Sequence, residues 1–185
     1  MDDADEYPGM KLRHWMAIFQ AALCAGLAAC ATTAAAPEPL RVPDTQRLIV
    51  QLHATGVQIY QCQPGKNDST HFDWSFKQPE AALFTKAGKS AGKHFAGPSW
   101  EANDGSKVTG EVKASTDSPQ SDSIPWLLLR AKTTSGDGLF SAVLSIQRLN
   151  TVGGNPPAKD CSPDQSGQLL RVPYTADYLF YGMKP

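Results

Sequence analysis

An all-β domain is predicted for residues 47–185, as a single antiparallel β-sandwich or, alternatively, a closed barrel of about ten strands. Three observations predict it. Short runs alternate apolar and polar residues, Gly, Pro, Asn and Asp recur between the runs, and almost no segment after Leu48 has helical periodicity. The regular spacing of strands and turns favours the sandwich, and nothing in the pattern itself fixes closure.

The elements follow in order. Leu48, Val50 and Leu52 alternate with polar neighbours, Thr55-Gly56 reads as a turn, and a second run ends at Cys62, which together suggest a hairpin. Residues 64–69 form a loop. Phe72, Trp74 and Phe76 alternate, Ala82-Leu83-Phe84 is a short strand, and residues 86–89 turn it toward His94-Phe95. Val108, Gly110, Val112 and Ala114 alternate against Lys107, Glu111 and Lys113, a strand with one wet face. Trp126-Leu127-Leu128-Leu129 is apolar on both faces, as expected of a central strand. After Ser135-Gly136-Asp137-Gly138, a strand is expected through Phe140, Ala142, Leu144 and Ile146. Asn150 to Pro163 is a long loop, and a last strand carries Tyr174, Tyr178, Phe180 and Tyr181.

The N-terminal part reads as an address. Lys11 and Arg13 precede an apolar run from Trp15 to Leu27, short of the ~20 residues that span a bilayer. Residues 1–29 therefore form a signal peptide. Met10 is a natural start for it, so residues 1–9 either belong to the precursor or are a gene-model extension. Leu27-Ala28-Ala29-Cys30 matches the pattern after which a bacterial lipoprotein is cut, leaving Cys30 to carry lipid. An Ala-x-Ala cut within residues 29–36 is the alternative and gives a soluble secreted product. Residues 30–46, rich in Ala, Thr and Pro, form the lipidated cysteine and a flexible tether. The expected location is the bacterial cell envelope, anchored to the membrane by lipid and facing the periplasm or the exterior.

Removing residues 1–29 leaves one domain-sized chain with 15 basic and 14 acidic side chains. That balance gives no case for nucleic acid. If Cys30 is lipidated, Cys62 and Cys161 remain as a pair in an oxidising compartment, where a disulfide is expected. Neither lies in a CxxC or beside a histidine, so a metal or redox role is the weaker reading. Histidines 53, 71 and 94 show no chelating spacing, and neither a metal nor a cofactor is expected.

Several segments together resemble one family of small secreted proteins of unknown function found in bacteria and fungi. They are Gly56 to Cys62 (GVQIYQC), Trp74 to Ala81, His94 to Ser106 (HFAGPSWEANDGS), Ile124 to Leu129 (IPWLLL) and Gln147 to Gly154 (QRLNTVGG). The resemblance covers about residues 42–181. Ser99 departs from it, a threonine being expected there. It implies no activity. Some fungal relatives carry a malate dehydrogenase label, but Gly136-Asp137-Gly138 lies in a turn and lacks the third glycine and the helix of a dinucleotide site.

The segment His94 to Ser106 holds the candidate site. His94 with Glu101 or Asp104 could act as acid and base, and two carboxylates could flank a glycosidic bond. Trp100 and Asn103 are candidate binding residues. The structural alternative is turn chemistry at Asn103-Asp104-Gly105-Ser106, with Trp100 in the core. No GxSxG elbow is present. The aromatic set of Trp74, Trp100, Trp126, Tyr60, Tyr174, Tyr178 and Tyr181 either lines a sugar or lipid groove or builds the core. Arg148 to Thr151 with Gly153-Gly154 either forms an anion-binding nest or ends a strand. The function expected is a non-catalytic envelope lipoprotein domain that binds an envelope component or a protein partner. The alternative is a periplasmic hydrolase acting on a glycan or small ester.

Overall fold

A computed structural model describes residues 36–185. Cys30, the expected leader and the first part of the expected tether lie outside the described residues. The strands are β1 (Gln46–Pro64), β2 (Phe72–Phe84), β3 (Ser90–Phe95), β4 (Ser99–Ala102), β5 (Lys107–Thr116), β6 (Trp126–Ser135), β7 (Ser145–Gly153) and β8 (Leu169–Met183). Every strand pairs antiparallel with its successor, and β8 returns to pair with β1 from Gln46↔Met183 to Gln61↔Leu169. The sheet thus closes into a ring in which every strand has a neighbour on both sides, although β2 and β5 outrun the short β3 and β4 and stay unpaired there. The antiparallel all-β expectation holds, and the pairing specifies the closed form of it.

Eight strands replace the expected ten because two pairs of expected runs are each one continuous strand. Thr55-Gly56 does not turn the chain, and β1 runs straight through it. A Cβ at Gly56 would collide with the Glu80 carbonyl and Ala81 of β2. The glycine serves close backbone approach between strands rather than reversal. Likewise Phe72 to Phe76 and Ala82 to Phe84 belong to one strand, β2. Pro79 is tolerated inside it because β3 pairs only with residues 81–84, leaving no ladder on the side of its missing N–H.

The barrel interior has two unlike ends. At the lower end, Leu52, Leu83, Val108, Ile146 and Phe180 pack with Phe140 and Val143 from the β6–β7 connection. Phe140 was expected in a strand. Instead the segment folds across this end, and the strand begins only at Ser145. Asp104 directs the fold: one carboxylate oxygen accepts from the Leu139 N–H at 2.8 Å, and the Ser106 hydroxyl accepts from the Phe140 N–H at 3.0 Å. Burying Phe140 and Val143 there closes the lower end with apolar side chains.

The run Trp126 to Leu129 is apolar on both faces for a visible reason. Leu129 joins the interior, with Leu127 packed against it, while Trp126 joins an outer cluster with Leu40, Leu149 and Leu179. Leu40, from the 3-10 turn Glu38–Leu40, is fully buried over this outer face. Gln147 fastens it by donating to the Leu40 carbonyl at 2.6 Å. The last part of the expected tether therefore packs on the domain.

Cys62 and Cys161 form the expected disulfide, 99 residues apart in sequence. It ties the end of β1 to the long β7–β8 connection. On the chain-entropy model a loop of this length stabilises by ~4–5 kcal/mol.

Candidate functional site

The upper end of the interior holds a cavity of about 470 Å³. Each of the eight strands contributes a lining side chain, as expected where alternate residues of a barrel point inward. Its opening has a structural cause. The β3–β4 hairpin is short, so β2 and β5 rise above it as bare flanks, and Phe76 and Val112 stand on them.

Three rings in mutual contact form the cavity floor. His94 lies flat on Trp100, with centroids 4.5 Å apart and planes 11° apart. Tyr178 meets His94 at 4.9 Å and Trp100 edge-on at 5.3 Å. Below them Trp100 contacts Phe180, and Phe180 contacts Phe140, so aromatic rings run from the cavity to the closed end. Gly110 makes room for this column: a Cβ there would sit 3.1 Å from both Trp100 and Leu129.

His94 is 3% exposed and lies 2.8 Å from the Ser99 carbonyl through Nδ1. A carbonyl only accepts, so Nδ1 carries the proton and donates. Burial pushes the His94 pKa down to about 3; the Ser99 bond opposes this and the Arg148 charge adds to it. The ring is neutral, with Nε2 left as an acceptor.

Arg148 reaches the cavity from β7. Its Nε and Nη2 donate to the Pro125 carbonyl at 3.0 and 2.8 Å. Tyr60 donates to the Gly154 carbonyl at 2.7 Å, and burial raises its pKa. Burial also raises the pKa of Tyr178, with Arg148 opposing. Both phenols stay protonated. Among the described residues no Asp or Glu lines the cavity.

The candidate residues of 94–106 separate by strand alternation and by hairpin end. His94 and Trp100 face each other across β3 and β4 and point inward. Glu101, one residue on, points outward, 3.0 Å from Lys93 and 3.7 Å from Lys107. The Lys93 hydrogen bond holds its carboxyl below the usual range. Asn103 and Asp104 lie in the β4–β5 turn at the opposite, closed end. Asn103 donates to the Ser90 carbonyl at 2.9 Å. Asp104 accepts from the Ser106 hydroxyl at 2.6 Å and from the Ser106 and Leu139 N–H groups, which together hold its pKa low. His94 therefore shares no hydrogen bond with either carboxylate. Residues 43–182 match the family described as Protein of unknown function (DUF3455).

The chain belongs to the DUF3455 family. No curated protein and no solved structure matches it.

Within this DUF3455 domain the aromatic set divides. Tyr60, Trp100 and Tyr178 border the cavity, whereas Trp126 and Tyr181 pack on the outer face. The nest reading of residues 148–154 gives way to a strand end: the Gly153 N–H donates to the Ser123 hydroxyl, and Arg148 turns inward. Gln58 is a cavity residue that motif reading did not single out. The signal available for it is its place on the inward face, two residues before Tyr60. Among the described residues no group of three or more His, Cys, Asp or Glu is placed to hold a metal ion.

Proposed function

We propose that this DUF3455 chain is a non-catalytic, lipid-anchored domain of the bacterial cell envelope that holds one small envelope component in its barrel. The observation that carries this reading is the upper cavity. Its volume of about 470 Å³ falls in the range of small-molecule sites. It mixes flat rings with a few polar tips, while the lower end is filled by Phe140, Val143 and Phe180. The lipoprotein pattern ending at Cys30 supports the envelope assignment. The hydrolase alternative needs His94 beside Glu101 or Asp104, and those carboxylates are engaged by Lys93 and by the Ser106–Leu139 backbone instead.

Native mass spectrometry of the exported protein, extracted in mild detergent, tests the reading. The expected result is a one-to-one small-molecule adduct that is lost on unfolding, with no turnover of chromogenic esters or glycosides. A protein mass without an adduct, or turnover abolished by His94→Gln, would overturn it.

A further inference from the structure

The cavity wall presents donors without acceptors to match. Gln58, Trp100 and Tyr178 border it and are 2%, 1% and 1% exposed. Their Nε2, Nε1 and hydroxyl groups are covered and make no well-formed hydrogen bond among the described residues, with the Tyr174 hydroxyl beside Gln58 and Tyr178 and the Arg148 guanidinium beside Tyr178. An amide NH₂ and an indole N–H can only donate. Buried donors left this way destabilise the fold, so their retention beside the cavity points to an acceptor-rich guest. Arg148 adds a guanidinium whose Nε and Nη2 are engaged by one carbonyl, and none of the described ion pairs includes it. Among the described residues the only other charge on the lining is Lys77, at the exposed rim. The wall is therefore positive, which excludes a cationic guest.

The mouth is apolar. Phe76 and Val112 are 54% and 50% exposed there. A guest with its charged end inward would lay an apolar body between them.

Resting on the binding reading above, we infer that the guest is an amphipathic monocarboxylate, with its carboxylate at Arg148, Tyr178, Gln58 and Trp100 and its alkyl or aryl tail leaving between Phe76 and Val112. One guanidinium with part of its fork already used suits a single negative charge better than a phosphate dianion. The bond pattern is complementary: a carboxylate accepts at about four lone-pair sites and donates none.

Calorimetric titration of the exported protein with decanoate, decanol, decyl phosphate and decyltrimethylammonium, each below its micelle concentration, tests this. Decanoate is expected to bind at one site at least tenfold more tightly than decanol and decyl phosphate, and the cation not at all. Tyr178→Phe should weaken decanoate several-fold and leave decanol unchanged. Arg148→Gln should bring decanoate down to the decanol level, and Arg148→Lys should keep part of the difference. Should Arg148→Gln fail to fold, the four-ligand series on the unaltered protein still decides. Equal binding of decanoate and decanol, or tighter decyl phosphate, overturns the carboxylate assignment while leaving the cavity a binding site. Binding of none of the four overturns this inference, and the adduct measurement above then judges the binding reading separately.

Discussion

The two ends of the barrel share the same walls and the same alternation, yet one is filled and the other is open. At the lower end Phe140, Val143 and Phe180 bury apolar surface, and Asp104 and Ser106 satisfy the backbone that carries them. At the upper end Gln58, Trp100, Tyr178 and Arg148 place polar groups beside a cavity, several of them without a well-formed hydrogen bond. The difference separates two demands on one chain. The lower end supplies stability, while the upper end sacrifices some of it, as functional sites commonly do.

Mutations should split along that line. Phe140→Ala should cost ~3–5 kcal/mol, the range for losing a fully buried aromatic, read as a lower urea midpoint at unchanged slope. A smaller loss should follow acidification through the upper end. The native His94 pKa is about 3 against an ordinary 6.5, so the unfolded chain binds the extra proton between those values. Stability should be fully present above pH 6.5 and fall by a few kcal/mol as the pH drops toward 3. His94→Gln should flatten that slope above about pH 5.5, before the unfolded chain begins to protonate Glu101 and Asp104, whose native pKa values are lowered. The smallest effect belongs to Gln58→Leu, within ~1 kcal/mol of zero, since it removes an unpaired buried amide. If Gln58→Leu proved as damaging as Phe140→Ala, the contrast between the ends would be lost.

Much of the wall could be read from the residues. Alternation placed Val108, Gly110 and Val112 on one face, and the unbroken apolar run at Trp126 to Leu129 marked a strand covered on both sides. Cys62 and Cys161 could be paired because they lie outside any metal or redox spacing. What escaped is long-range. Gly56 looks like a turn until β2 is seen pressing on it. Phe140, Ala142, Leu144 and Ile146 have a strand's period, but the Asp104 and Ser106 contacts that bend them lie more than 30 residues away. The segment 94–106 was legible as a place of interest but not by side. A single-residue step puts Trp100 inside and Glu101 outside, and the hairpin carries Asp104 to the other end. Arg148 was visible as a possible anion contact, yet the cavity it serves is assembled from every strand.

The seam between β1 and β8 has a consequence for how the molecule comes into being. Its first strand waits for its last, so the ring cannot shut until the whole polypeptide has emerged from whatever pore or ribosome delivers it. Such distant pairing makes maturation slow, and a chain cut short before Leu169 would leave two adhesive borders bare, at β1 and at β7.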